Sequence, residues 1–384
     1  MAFRTPLAWL QLRKEKLRFM VALAGVSFAV VLILMQLGFR EAMFVSAVRW
    51  LDRMRFDVVL LSHDTSFIVA PIPFARARLF QVLGVPGVAS VAPIMAYLGT
   101  LENPQNHEVR RIYVVGVRPA DDPIDVPEIS RQLAAVQVQD RVLFDERSRP
   151  EYGPIADLVR ANGPLKVEMS KRAVEIVGTF PLGSSFGIDG NAVTSDANFE
   201  RIFPARKRTA IDFGLVRAAE GESPEVLRDR IRATVERDVD VLTKAEWIAR
   251  EKRFWAATTP IGYVFAFGTV VGLFVGAIIV YQILFADVSD HLPEYATLKA
   301  MGYTNLFVAS VVVQQAVILA VCGFVPGLLI SAWLYRVAGA ATRLPMELTP
   351  ERIAAVLGLT IAMCAVSALF AMRKVRSADP AEIF

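Results

Sequence analysis

The run Ile261–Phe285, IGYVFAFGTVVGLFVGAIIVYQILF, carries no charged residue. At about 1.5 Å per residue, a helix of that length crosses the hydrocarbon core of a bilayer. The chain then turns polar at once through Asp287, Ser289, Asp290, His291, Pro293 and Glu294. Tyr295-Ala296-Thr297-Leu298-Lys299-Ala300-Met301-Gly302 follows, and a second long apolar run starts near Leu306. A charged segment this short is too small for a domain. It has the length for a short helix lying along the membrane face, where a partner protein can grip it.

Outward from this stretch, the composition asks for both a membrane part and a water-facing part. The 384 residues are 54% hydrophobic and 21% charged, with mean hydropathy +0.43. That is too apolar for an ordinary soluble protein and too charged for a bare helical bundle. The net charge of +4 is modest. Lysines and arginines gather beside the apolar runs rather than on one basic face, which argues against nucleic acid as a partner. The two cysteines, Cys322 and Cys364, fall inside apolar runs and read as small packing residues.

Four spans account for the apolar runs: 19–39, 261–285, 306–335 and 353–372. Residues 1–18 read as an amphipathic helix, with Thr5 as N-cap, Pro6 in the first turn, and Arg13, Lys14, Lys16 and Arg18 on a basic face suited to anionic lipid. These basic residues, and Arg373, Lys374 and Arg376 after the last span, place both termini in the cytoplasm. Segment 286–305 is then a cytoplasmic loop or helix, 336–352 a short outside loop, and 373–384 a cytoplasmic tail. The expected fold is a membrane protein of four transmembrane α-helices, with a large α+β extracytoplasmic domain, residues 40–259, inserted between the first and second.

Within that insert, Val58–Leu61, Arg111–Val117, Val174–Phe180 and Phe213–Arg217 read as strands by their β-branched content. Ser223-Pro224 opens a helix to about Arg237. Lys244–Thr258 and Arg40–Asp57 read as helical stalks running into the second span and out of the first, and the domain reads as two lobes. In the spans, Gly268, Gly272 and Gly276 recur every four residues, as do Gly323 and Gly327. Small residues so spaced let two backbones approach. They mark either a seam between two copies of the chain or packing within one copy. Pro326 is expected to bend the third span.

The phrase Glu294–Gly302, E-Y-A-T-L-K-A-M-G, resembles the E-I-G-I-L-K-A-L-G phrase of the FtsX/MacB-type ABC transporter permeases. It matches at Glu294, Leu298, Lys299, Ala300 and Gly302, and departs at Tyr295 and Ala296. In the insert, Gly84–Val88, Val115–Val117, Val142–Ser148 and Ile176–Phe180 are similar to the DevC-like subgroup, as is the tail Ser377–Glu382. The resemblance implies a permease subunit in the cell inner membrane, a homodimer carrying a cytoplasmic ABC ATPase subunit on each copy. It also implies a periplasmic membrane-fusion adaptor and, through it, an outer-membrane channel. Nucleotide-driven movement would be relayed mechanically to the far side of the membrane, exporting a substrate taken from the periplasm or outer leaflet; the subgroup's name points to glycolipid. Asp290, Glu294, Leu298, Lys299, Met301 and Gly302 are the expected ATPase-coupling residues, Glu294 and Lys299 through polar contacts, Leu298 and Met301 through apolar ones. A second reading keeps the architecture but makes the chain a regulator of an extracytoplasmic hydrolase or signalling partner.

No catalytic, cofactor or metal site is expected. The sequence contains no G-x-x-x-x-G-K-[S/T] phosphate cradle, so ATP is bound by the partner subunit. Gly183-Ser184-Ser185-Phe186-Gly187 matches the G-x-S-x-G pattern of a hydrolase elbow. That chemistry needs a histidine base, and only His291 follows it, placed by the expected topology across the membrane. His63 and His107 precede it, in the wrong order. Asp121, Asp122 and Asp125 form an acidic turn broken by Pro123, without the glycine of a calcium loop. The spans carry glutamines, Gln36, Gln282, Gln314 and Gln315, but essentially no charges of the kind that ion-coupled transport requires.

Overall fold

A computed structural model describes residues 16–377, without the side chains of Ile261, Lys299, Asn305 and 373–377. Most of the expected N-terminal amphipathic helix and the end of the tail lie outside the described residues. The chain divides into two compact units, one of residues 1–42, 260–341 and 346–384, the other of residues 43–259 and 342–345.

The first helix, α1 (Lys16–Ala47), extends past the apolar run that defines the span. Arg40 and Glu41 end the hydrophobic signal but not the backbone ladder, because helical hydrogen bonding is indifferent to side-chain polarity. After one break at Val48 comes α2 (Arg49–Arg53).

The domain that follows is built on one sheet. Its strands are β1 (Val58–Ser62), β2 (Phe74–Ala75), β3 (Val88–Glu102), β4 (Val109–Val117), β5 (Arg141–Asp145), β6 (Leu165–Met169), β7 (Arg172–Phe180), β8 (Asn191–Ser195), β9 (Ala210–Ile211), β10 (Phe213–Ala218) and β11 (Val239–Thr243). Between them lie α3 (Ala77–Val82), α4 (Pro127–Gln132), α5 (Ile155–Asn162), α6 (Asp196–Ile202) and α7 (Pro224–Thr234). Nine strands join in the order β11-β1-β10-β3-β4-β8-β5-β7-β6, while β2 and β9 pair separately. The β4–β8 and β5–β7 pairs are parallel, and the other pairs of the large sheet antiparallel. The expected two lobes are therefore not separate: the long strand β3 pairs with β10 on one side and β4 on the other, and carries the sheet across.

Strand β1 shows why the sheet is covered on both faces. Every residue of Val58-Val59-Leu60-Leu61-Ser62 is buried, and neighbours on a strand point to opposite faces. Val58 and Leu60 join one core with Leu79, Val82, Phe199, Leu227 and Ile231 from α3, α6 and α7. Val59 and Leu61 join another with Trp50, Leu51, Ile129 and Trp247. Trp247 lies on α8 (Lys244–Arg253), whose start is a capping box: Thr243 Oγ1 accepts from Glu246 N, and Glu246 reaches back to Thr243 N at 2.9 Å. A π-helical turn, Phe254–Thr258, leads from α8 to α9 (Pro260–Asp290).

Then come α10 (Leu292–Ala300), α11 (Asn305–Thr342) and α12 (Pro350–Ser377). Four of the described helices are long and apolar enough to cross a membrane: α1, α9, α11 and α12. The outside loop expected at 336–352 is shorter, since α11 stays helical to Thr342 and α12 starts at Pro350. Helix α11 runs unbroken through Pro326.

Candidate functional site

The bundle is assembled around α1. A Cβ built on Gly276 would sit 2.6 Å from the Ala29 Cβ, one on Gly268 2.5 Å from the Gln36 amide carbon, and one on Gly272 3.4 Å from Ile33. Residue numbers rise along α1 as they fall along α9, so the two helices are antiparallel. On α11, a Cβ on Gly323 would sit 2.6 Å from the Val26 Cβ, and one on Gly327 2.9 Å from the Val30 Cβ. Here both numbers rise together, so α1 and α11 are parallel. The five glycines thus lie against the first helix of their own chain.

Hydrogen bonds lock the same register. Ser27 Oγ donates to Gly323 O at 2.9 Å, Tyr335 Oη to Leu34 O at 2.5 Å, and Ser367 Oγ on α12 to Ala277 O at 2.9 Å. Parallel α1 and α11, with α9 antiparallel to α1, is the pattern that serial crossings of a membrane require. The start of α1, the end of α9 and the start of α11 therefore share one end of the bundle. The domain is inserted at the opposite end, between residues 42 and 260. At the first of these ends Arg18 forms an ion pair with Asp290.

Helix α10 sits between α9 and α11 at that end. Pro293 has no N–H to give to the carbonyl of Ser289, so the ladder of α9 stops at Asp290 and restarts. The break is slight, because His291 N donates to Asp287 O at 3.1 Å and Tyr295 N to His291 O at 3.1 Å. His291 is buried, its Nδ1 2.9 Å from Asp287 O. The far end of α10 closes at Gly302, whose φ of +90° suits glycine. Tyr303 N reaches back to Leu298 O at 3.1 Å, the six-to-one bond of a Schellman cap. Gly302 in the family-like phrase thus has a backbone role.

Tyr295 and Ala296 face into the bundle core, while Glu294, Thr297 and Met301 are exposed and Leu298 is half-buried. Glu294, Leu298 and Met301 line one cleft of about 300 Å³, completed by Val308 and Val311 of α11. Three of the six expected coupling residues thus share a cleft whose other wall, on α11, carries no signal in the sequence. The side chain of Lys299 lies outside the described residues.

The other motifs resolve into domain structure. Asp145, fully buried, accepts from Leu182 N (3.0 Å), Gly183 N (2.7 Å), Arg147 N (3.0 Å) and Asn191 Nδ2 (2.7 Å). Burial pushes its pKa up against the pull of these donors. Ser185 N donates to Ile188 O at 2.8 Å, and Ser184 O accepts from Arg49 Nη1 at 2.8 Å. His63 bonds Asp240 and His107 bonds Glu102. The Gly183–Gly187 loop is therefore a packed turn without a histidine base. The acidic turn is matched by arginines: Arg55 pairs with Asp122 and Asp125, and Arg118 with Asp121.

Residues 266–380 match the FtsX-like permease C-terminal family. Uncharacterized ABC transporter permeases of Mycobacterium bovis and Mycobacterium tuberculosis are each 23% identical over 382 residues, 97% of this chain and 97% of theirs. Among solved structures, the periplasmic region of MacB from Actinobacillus actinomycetemcomitans aligns with 53% of this chain and 94% of its own length, at 11% identity and TM-score 0.35. The extracellular domain of the ABC-type transporter YknZ from Gram-positive bacteria aligns with 49% of this chain and 98% of its own length, at 12% identity and TM-score 0.35. With four membrane-length helices, an inserted α+β domain and a segment, residues 266–380, that matches the FtsX-like permease C-terminal family, the chain is an integral membrane protein similar to ABC transporter permeases.

Proposed function

We propose that this permease is the non-catalytic, force-transmitting subunit of a DevC-like ABC exporter. A separate ATPase binds and hydrolyses ATP on the cytoplasmic side and grips α10. The inserted domain stands on the other side and moves in response. Two copies of the chain carry two ATPase subunits, and a membrane-fusion adaptor hands the substrate, a periplasmic or outer-leaflet molecule such as a glycolipid, to an outer-membrane channel. The protein then lies in the cell inner membrane with both termini in the cytoplasm.

The observation that supports this reading best is the cleft on α10. Glu294 on α10 and Met301 just past its end are exposed, at the end of the bundle opposite the points where the chain leaves for the domain and returns from it. The helix is fastened to two spans at once, by the near-continuous ladder into α9 and by the α11 residues that share its cleft. A partner that displaces α10 therefore works on α9 and α11 directly. Their far ends carry the domain connection on α9 and the loop to α12 on α11. Two-state movement of one element biased from one side and read on the other is what such coupling needs.

The test is ATPase stimulation in proteoliposomes holding the permease and its ATPase. Glu294→Lys should abolish stimulation while the protein still inserts in the membrane. Unchanged stimulation would remove α10 as the input.

A further inference from the structure

The two connections between domain and bundle meet on one loop. Arg49, two residues after α1 ends, donates to the Ser184 carbonyl. Next to it, Trp50 Nε1 donates to Asn191 Oδ1 at 2.8 Å, and Asn191 Nδ2 donates to Gly183 O at 3.1 Å. On the other flank stands Trp255, in the π-helical turn that leads into α9. The Phe186 ring meets Trp255 edge-on at 6.0 Å, and a Cβ on Gly187 would sit 3.3 Å from the indole. Within the five-residue loop Gly183–Gly187, Ser184 thus meets the chain leaving α1, and Phe186 and Gly187 meet the chain entering α9.

Trp255 is itself pinned. Its Nε1 donates to Glu251 Oε1 at 3.0 Å, and the other carboxylate oxygen accepts from Ile68 N at 3.0 Å. Glu251 is 1% exposed. We propose that the Gly183–Gly187 loop is a clasp joining the two stalks, and that the Glu251 carboxylate is its proton-sensitive pin: ionised, it holds Trp255 against Phe186 and Gly187; protonated from solvent, it lets the indole go.

The chemistry follows from what surrounds the carboxylate. Ionised, it gives each N–H a charge-assisted acceptor, about twice as strong as a neutral one. Protonation removes that assistance and turns one oxygen into an O–H. Of the charged groups nearby, Arg250 on the same helix is engaged by Asp240 of β11 at 2.6 Å and by the Thr65 carbonyl. From β4, Tyr113 donates its hydroxyl to Ile68 O at 2.7 Å, and burial keeps that phenol protonated. The segment after β1 presents Phe67, stacked on Phe254 at 4.4 Å, and the clasp presents Phe186. Burial therefore dominates, and it pushes the Glu251 carboxyl up to about 7 against its hydrogen bonds and Arg250, where small changes of pH switch it.

The use of the clasp in transport rests on the mechanical reading above; its titration does not, so the test omits the ATPase. In the full chain held in lipid nanodiscs, Trp255 emission is obtained as wild type minus Trp255→Phe, between about pH 5 and pH 9. One transition is expected, centred near neutrality, with the acid form approaching the emission of Phe186→Ala. Glu251→Gln should remove the transition, and His63→Asn, which removes a second group titrating near this range, should leave it. A flat wild-type profile, or a transition that survives Glu251→Gln, would overturn the pin. Identical emission in Phe186→Ala and wild type at every pH would overturn the clasp. A normal titration beside unchanged ATPase stimulation in the separate Glu294→Lys experiment would count against the mechanical reading alone.

Discussion

A carboxyl group buried away from water holds its proton more firmly than one in solution, even where two N–H donors favour its ionised form, and Glu251 shows the consequence for stability. Its pKa rises from the ordinary 4.5 to about 7 on folding, chiefly through loss of solvent. Between those values the folded chain binds more protons than the unfolded chain, so stability falls as pH rises through the window and levels off above it. A gap of this size is worth on the order of 3 kcal/mol. Asp145 and Asp212, also raised by burial, act with the same sign, and Asp140, lowered by its bond to Arg172, acts in the opposite sense. The thermal midpoint of the nanodisc-held chain should therefore drop between pH 5 and pH 8, and Glu251→Gln should flatten that drop. A slope of equal steepness in the variant would show that another group carries it. Nothing in the sequence marks Glu251: it sits among Arg250, Lys252 and Arg253, in a stretch that looks solvated from residue types alone.

Elements differ in how far their sequences announce them. The spans are legible because a charge-free run of this length has few other uses. Strands β1, β4, β7 and β10 are legible because β-branched residues cluster in them. The longest strand is not: β3 reads VASVAPIMAYLGTLE, and Pro93, Gly99 and its alanines dilute the strand signal. It forms because β10 and β4 pair on either side of it, a long-range effect no local window contains. The glycine stripes were legible as close-packing faces, but their partner was not, since a seam between copies and a seam within one copy use the same residues. Contacts with α1 now separate one glycine from another. A Cβ at Gly272 meets ordinary van der Waals spacing, whereas one at Gly276 meets Ala29 at 2.6 Å and Met363 Sδ at 2.7 Å. Gly276→Val should lower the thermal midpoint, by overpacking worth about 1–3 kcal/mol, and Gly272→Ala should leave it at or above wild type. Fluorescence-detected gel filtration after heating measures both. Equal tolerance at the two sites would mean that α9 does not pack on α1 through this face.

At the scale of the whole molecule, direction is the quantity that matters. The seams run antiparallel between α1 and α9 and parallel between α1 and α11, so α10 and the domain insertion points belong to opposite ends of the bundle. If the four helices span the bilayer in series, a residue on α10 and a residue of the domain face different compartments. The two native cysteines, Cys322 and Cys364, are half-buried and buried within the bundle, and alanine can replace each to give a background free of thiols. In that background, Asn106→Cys places a thiol on an exposed loop of the domain, and Thr297→Cys one on the exposed side of α10. A membrane-impermeant maleimide added to intact cells with a permeable outer envelope should label Asn106→Cys at once. It should label Thr297→Cys only after the inner membrane is opened. Labelling of both from the same side would contradict the serial crossing and, with it, any transmission of force from α10 to the domain. Labelling of Thr297→Cys alone would invert the protein and put the ATPase on the wrong face. Only the expected pattern lets one partner act on the cleft while the clasped stalks answer across the membrane.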